Sequence, residues 1–303
     1  MPRHSRVGIS VPATSANLGP GFDSFGLALD IRDTYFAEIT ATPGIVVESA
    51  GEASGELPQD DSHLVARSLL AGCERLQLEV PGLRISCRNT IPHSRGMGSS
   101  AAAIVGGVGL AYALAGDASD RTDEILQLAA DLEGHPDNVA PAVLGGFTIA
   151  WSDANGGARA ISMPVAKNLA AVLFVPETTS PTAAARAALA EQVAFTDAVH
   201  NSSRSALLTL ALTRQPELLF DATADRLHQE QRRPGYPAAM QLVDTLRSQG
   251  VAAVVSGAGP AVLALGVTGS LEQHLTSHQP GFSAQSVSFG RGLLPAPDEP
   301  TPS

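Results

Sequence analysis

Ile91–Gly107 reads IPHSRGMGSSAAAIVGG, and its residue types point to anion chemistry. Gly96, Gly98, Ser99 and Ser100 stand between a β-rich segment, Gly82–Thr90, and an apolar small-residue run, Ala101–Ala115. That order is strand, glycine loop, helix start. Glycines let backbone N–H groups approach an anion, and the first helical turn adds unpaired N–H groups and the positive end of the dipole. Together they form a phosphate cradle, and the serines add hydroxyls for a phosphate oxygen or a magnesium ion. The plain alternative is an Ala/Gly-rich buried helix with a serine cap, and on this segment alone the two readings weigh equally. It is not a Walker A loop, which needs Lys after its last glycine, where Ser99 stands.

Three more segments are denser in Gly and polar residues than a plain fold requires: Pro12–Asp23 (PATSANLGPGFD), Glu133–Pro141 (EGHPDNVAP) and Ser256–Pro260 (SGAGP). Asn17 and Asp23 are ligand candidates whose ordinary use is turn chemistry. Glu133 precedes Gly134 at a helix end, where a carboxylate opposes the dipole, so a functional reason is favoured. His135, Asp137 and Asn138 precede a helix start. No GxSxG elbow accompanies them, which speaks against a Ser/His/Asp hydrolase. His135 alone among them has a pKa near neutrality, and its plain role is that of a hydrogen-bonded structural histidine. Arg204 (HNSSRSALL) and Arg232 (RLHQEQRRP) supply forks suited to a carboxylate. A lone Arg on a helix is otherwise a solvated face.

The elements that must position these residues follow from periodicity. Val7–Val11, Leu27–Ile31, Tyr35–Thr40, Ile45–Ser49, Leu83–Arg88, Phe147–Trp151, Leu169–Val175, Ala252–Ser256, Ala261–Leu265 and Ala284–Phe289 read as strands. Helices are expected over Asp60–Leu78, Ser99–Ala115, Arg121–Leu132, Val139–Leu144, Thr182–Glu191, Thr196–Leu212, Pro216–Leu227 and Tyr236–Ser248. The mixture lacks a βαβ rhythm and predicts an α+β fold in two layers. The turn-rich Ser152–Ala158 marks a candidate boundary, giving domains 1–157 and 158–292, and Pro-rich 293–303 is expected to be a disordered tail.

The chain has 303 residues, 44% hydrophobic and 16% charged, with a net charge of −11. This composition gives a globular protein and argues against a nucleic-acid partner held by bulk electrostatics. Cys73 and Cys87 form neither a metal-ligand spacing nor a disulfide framework and are expected to be buried thiols. No apolar run follows the basic N-terminus as in a signal peptide, and none approaches the ~20 residues of a membrane span. The expectation is a soluble, cytoplasmic protein.

The four segments, in this order and at these separations, resemble the GHMP kinase family and, within it, the homoserine kinases. VPATSANLGPGFDSFGLALD, IPHSRGMGSSAAA, EGHPDNVAP and VSGAGPAVLAL carry the likeness, which runs from about Val7 to Gly290. Met97 stands where the loop usually has Leu, a change without functional consequence. The resemblance implies a ribosomal-protein-S5-domain-2-like N-terminal part and a ferredoxin-like C-terminal α/β sandwich. It also implies ATP, Mg2+ and L-homoserine as ligands. Pro92, His93, Ser94, Arg95, Gly96, Met97, Gly98, Ser99, Ser100, Ala101 and Ala102 would line the ATP loop. One motif serine, Ser100 in preference to Ser99, and Glu133 would hold the metal. Asp23 would face the substrate ammonium and Asn17 its side chain, with His135 and Asp137 beside it. Arg204 and Arg232 would take the carboxylate, with adjacent Arg233 as the alternative to Arg232. Asn138 stands where several relatives keep a catalytic aspartate and cannot accept a proton, which implies direct phosphoryl transfer by positioning. The implied reaction makes O-phospho-L-homoserine for threonine biosynthesis. The alternatives are another GHMP small-molecule kinase or a catalytically silent binding protein. A homodimer is compatible with the reading, and the oligomeric state stays open.

Overall fold

The computed structural model describes residues 2–116, 118–179 and 182–297. Its first layer is a seven-stranded sheet ordered β11-β1-β2-β4-β3, with β5 pairing β2 and β6 pairing β5. These strands are β1 (Arg6–Ala16), β2 (Phe25–Thr40), β3 (Gly44–Gly51), β4 (Gly82–Asn89), β5 (Phe147–Ser152), β6 (Ala158–Met163) and β11 (Leu294–Pro295). Four helices belong to this part: α1 (Leu64–Arg75), α2 (Ser99–Ala115), α3 (Thr122–Glu133) and α4 (Val139–Leu144). β3 and β4 pair in parallel, as a strand pair joined through a crossover helix must; α1 is that helix. The two expected strands Leu27–Ile31 and Tyr35–Thr40 are one long β2. Its first residues pair with β5 and its last with β4.

The helix expected over Asp60–Leu78 starts only at Leu64, because His63 Nδ1 accepts the Val65 N–H at 3.2 Å and caps it there. α2 matches its expected bounds. It is buried along most of its length, between β1, α1 and α3, which is why its sequence is apolar all round rather than striped.

The second layer is a four-stranded antiparallel sheet ordered β10-β7-β9-β8. Its strands are β7 (Leu169–Pro176), β8 (Ala252–Val255), β9 (Val262–Val267) and β10 (Phe282–Val287). Its helices are α5 (Thr182–Ala187), α6 (Phe195–Thr213), α7 (Leu219–Ala222), α8 (Gln229–Arg232), α9 (Pro237–Ser248) and α10 (Glu272–Thr276). Strand alternation divides the burial. Val172, Phe174, Ala253, Val255, Val262 and Ala264 join Met240, Leu242 and Val243 of α9 in one cluster. Ala171, Leu173, Val254, Leu263 and Leu265 point the other way, into the main core with Leu208, Ala211 and Leu212 of α6.

Three sequence expectations need correction. Ser152–Ala158 is not a domain boundary. It is the turn of the β5–β6 hairpin, closed by Asp153 Oδ1, which accepts the N–H groups of Asn155 and Gly157 at 2.9 Å each, and β6 lies in the first sheet. The chain therefore changes sheets between Met163 and Leu169, not at 157. The 293–303 tail is ordered through its first residues: Leu294 and Pro295 pair with Ser10 and Ile9. Residues 298–303 lie outside the described residues. The single helix expected over Pro216–Leu227 is a 3-10 turn followed by α7. Asp225 then draws the chain away by accepting the N–H groups of Leu227, His228 and Gln229. Among the described residues no helix is long and apolar enough to cross a membrane.

Asp33, 1% exposed, fixes the route from β4 into the glycine loop. Its carboxylate accepts Thr90 N–H (2.6 Å), Ile91 N–H (2.9 Å) and the Tyr35 hydroxyl (2.9 Å). Burial pushes this carboxyl up and the three donors oppose it. Asp33→Ala strands these donors and should lower unfolding free energy by roughly 2–4 kcal/mol in urea titrations. A loss within about 0.5 kcal/mol, the scale of a neutral surface change, would remove Asp33 from this role.

Candidate active site

The cradle begins at Gly98, which caps α2 in the left-handed conformation (φ 68°) with no side-chain partner. The first-turn N–H groups of α2 thus face the loop with the positive end of the dipole behind them. A Cβ at Gly98 would collide with Thr14 Oγ1, and one at Gly96 (φ 75°) with the Ser256 carbonyl, so both positions require glycine. Ser100 Oγ donates to Glu133 Oε2 at 2.8 Å, joining the start of α2 to the end of α3. Burial raises the Glu133 carboxyl above its ordinary range, and the Ser100 hydrogen bond opposes the rise. Beside them His93, Ser94, Ser99 and Ser100 line a cavity of about 220 Å³ with Tyr35, Leu57, His63, Leu64, Val65, Asn89 and Ala103. A larger cavity of about 350 Å³ lies elsewhere, between β1, the end of α2 and β11, and touches none of these residues.

The loop between β1 and β2 carries the second group of candidates. Asn17, Leu18 and Asp23 all have positive φ (69°, 51° and 54°), a cost that non-glycine residues accept where the surroundings enforce it. Asn17 is the enforcer: its Nδ2 donates to the Gly257 carbonyl at 2.9 Å and its Oδ1 accepts the Asp23 N–H at 3.0 Å. Asp23 is held by the fork of Arg186 at 2.7 and 3.0 Å. Two guanidinium groups pack against the Phe22 ring, Arg186 at 5.7 Å and Arg232 at 5.1 Å, with the His228 ring 5.0 Å away. Arg232 is 3% exposed. Its Nε donates to the Ala185 carbonyl at 3.0 Å and its Nη1 lies 3.4 Å from His228 Nδ1, and among the ion pairs of the described residues none joins it to a carboxylate. Burial pushes the His228 pKa down, and its Nε2 lies 2.8 Å from the Gly19 carbonyl.

The third segment lies between these groups. Asn138 Oδ1 accepts the Thr14 hydroxyl at 2.7 Å, and the Asn138 N–H donates to Asp137 Oδ1 at 3.0 Å. His135 Nδ1 stands 3.0 Å from the same oxygen. The approach is oblique, leaving Nδ1 without an aligned partner, so the attraction is mainly electrostatic. Contact with Asp137 raises the imidazole pKa, burial opposes it, and Glu133 raises it further. Arg186 is in electrostatic reach of both Asp137 and His135.

Contacts and electrostatic reach thus link Ser100 of the loop with Glu133, His135, Asp137, Asn138, Arg186 and Asp23, and Arg232 joins them through Phe22 and the Ala185 carbonyl. Other expected contacts turn elsewhere. Arg95 donates to the carbonyls of Pro176, His93 and Glu177, and with Pro92 lines a different groove. Met97, Ala101 and Ala102 are buried and offer the cradle only backbone. Asn17 has its amide committed to the loops. Arg204, expected on the carboxylate, stands on α6 near His200 and Arg226, with Nε buried and unpartnered, whereas the arginine that meets Asp23 is Arg186. Arg233 forks onto Glu230 and Asp244, whereas Arg232 is buried against Phe22 and the Ala185 carbonyl. Arg186, Thr14 and the cavity wall went unread because Ala-rich, strand and loop sequence around them carries no motif.

Residues 63–146 match the model for the GHMP kinases N terminal domain and residues 204–274 that for GHMP kinases C terminal. A relative named homoserine kinase from Streptomyces avermitilis is 47% identical over 97% of each chain. The chain belongs to the GHMP kinase family. Another relative of that name, from Mycolicibacterium vanbaalenii, is 47% identical over 93% of this chain and 92% of its own. The crystal structure of homoserine kinase from Cytophaga hutchinsonii superposes with a TM-score of 0.85 at 26% identity, covering 98% of this chain and 99% of that one. The GHMP fold is shared more widely: mevalonate kinase from L. major gives a TM-score of 0.67 at 14% identity over 96% and 98% of the two chains.

The Asp137 contact has a measurable signature. His135 should titrate above the ordinary imidazole value of about 6.5, its resonance assigned with His135→Gln. Asp137→Asn keeps an acceptor for the Asn138 N–H and removes the charge, so the NMR titration point should fall. The stability contributed by the pair is full below about pH 6.5 and is lost as pH rises through the raised value. An unchanged titration in Asp137→Asn would contradict the pairing.

Proposed function

We propose that this GHMP kinase family member transfers the γ-phosphoryl group of ATP to the hydroxyl of L-homoserine, giving O-phospho-L-homoserine. The observation that carries the reading is Arg232. A buried guanidinium without a carboxylate costs several kcal/mol, and this one packs on Phe22, the neighbour of Asp23; a ligand with an anion for Arg232 and a cation for Asp23 supplies the remedy. An α-amino acid has both. The names of the 47% identical relatives support the choice of homoserine among amino acids bearing a hydroxyl.

The triphosphate is received by the N–H groups of the 96–100 loop and the first turn of α2. Ser100 and Glu133 are hard oxygen donors 2.8 Å apart at the mouth of the cradle, a set that fits Mg2+. That ion would neutralise phosphate charge when bound. The cavity beside Ser99 and Ser100 has the apolar wall and few polar groups of a base pocket. Asp23 and Arg232 fix the amino acid at two points, leaving the side-chain hydroxyl to lie along the Asn138 segment. Asn138 gives its Oδ1 to Thr14, so its Nδ2 group is what remains to orient that hydroxyl. No group here is a good base. Asn138 cannot take a proton, and the contact with Asp137 raises the His135 pKa, a shift that favours the imidazolium, a complement to phosphate. Transfer then rests on alignment and charge stabilisation, which suit a loose transition state.

The test is ADP release with a panel of alcohols: L-homoserine, D-homoserine, mevalonate and a diphosphocytidyl polyol. L-homoserine should exceed the others by at least ~10²-fold in kcat/KM, since its rivals lack one charge contact or misplace it. Equal or faster turnover of mevalonate would sink the assignment. No turnover of any member, with ATP bound, would favour a silent binding protein.

A further inference from the structure

The groups that would read the amino acid are already engaged with the chain itself. Arg186 lays its fork on Asp23, and the Ala185 carbonyl next to it accepts the Arg232 Nε–H. A few residues on, the Ala190 N–H donates to Gln231 Oε1 at 2.6 Å. One short segment therefore carries a cation to Asp23 and a partial negative charge to Arg232. The Asp23 backbone is fixed by Asn17, whereas the Arg186 side chain is long and 48% exposed. The pair can part by moving the arginine alone. Both guanidinium groups lie against the Phe22 ring, 5.7 and 5.1 Å from its centroid, so a freed Arg186 and Arg232 share one aromatic neighbour at the substrate loop.

We propose that Arg186 is an exchange partner for the substrate: it holds Asp23 while the amino-acid site is empty and yields it to a ligand that brings an ammonium and an anion together. The inference rests on the amino-acid reading of the site made above. Charge accounting gives its consequence. A zwitterion puts its ammonium on Asp23 and its carboxylate between the freed Arg186 and Arg232, so every charge is matched. An anion alone can meet Arg232 with the Asp23–Arg186 pair intact. A cation alone must break the pair and leaves two guanidinium groups unmatched. Arg186 thereby selects against amino alcohols that lack a carboxylate, a specificity role that a residue merely holding α5 would not have.

The test titrates the full-length protein, followed by NMR, with L-homoserine, 4-hydroxybutyrate (anion only) and 3-amino-1-propanol (cation only). Wild type, Arg186→Met and Arg186→Lys are compared. Arg186→Met should bind 3-amino-1-propanol about fivefold more tightly than wild type, the scale of one half-exposed ion pair, while binding L-homoserine more weakly. Arg186→Lys, which restores a cation, should return the amine affinity toward wild type. Arg186→Gln serves the same arm should the Met variant fail to fold. Unchanged or weaker amine binding in the neutral variants would overturn the exchange. Failure of L-homoserine to bind wild type would instead overturn the amino-acid reading, and the amine arm would still decide whether Arg186 guards Asp23.

Discussion

A single buried hydroxyl joins the parts that must meet. Ser256, fully buried, lies 2.7 Å from the Gly96 carbonyl and 2.8 Å from Ser15 Oγ. Gly96 belongs to the glycine loop before α2, Ser15 to β1, and Ser256 to the second sheet's glycine turn. Around it the Gly257 N–H donates to the Ala16 carbonyl, the Ala261 N–H to the Arg95 carbonyl, and Asn17 Nδ2 to the Gly257 carbonyl. The two sheets are therefore fastened to each other at the cradle itself. This contact requires backbone approach closer than any Cβ at Gly96 would allow. It also explains why Asn17 and Asp23 sit in left-handed conformations: their loop is cut to the shape of the turn it meets.

From that junction a run of polar groups extends across the face: Ser100, Glu133, His135, Asp137, Arg186 and Asp23. Adjacent members touch or feel one another electrostatically. The run links the anion-binding end, built from backbone N–H groups and a helix terminus, to the charge-paired end at Asp23 and Arg232. Its middle is Asn138, tied to Thr14 of β1 on one side and Asp137 on the other. A reacting hydroxyl held there would be oriented from a rigid strand and a helix start.

Much of this was legible in the sequence where local chemistry speaks. Gly96, Gly98 and the two serines announce a loop running into a helix start, and α2 falls where the small-residue run places it. Glu133 was singled out because a carboxylate beside a C-terminal glycine opposes the dipole, and it meets Ser100. What distant contacts decide was not legible. Arg186 sits in an alanine-rich stretch with no motif. Arg95 stands in the motif yet bonds across to β7. The choice between Arg232 and Arg233 depends on Glu230 and Asp244 capturing the latter. The Asp153 turn looked like a linker because hairpin turns and linkers share Gly, Asn and Asp. The Pro-rich end reads as unstructured because prolines interrupt any periodicity, yet an edge strand tolerates Pro295 and the next N–H, of Ala296, donates to the Gly8 carbonyl of β1 at 2.9 Å.

The central claim is that positioning, without a protein base, carries the phosphoryl transfer. The most direct measurement is the pH dependence of kcat for Asn138→Asp against wild type. The carboxylate is nearly isosteric and still accepts the Thr14 hydroxyl, but it adds a potential base and a negative charge near the transferred phosphate. The account predicts a variant no faster than wild type at any pH. A large gain in kcat that follows a single ionisation near neutrality would show that proton removal limits the reaction, and would contradict it.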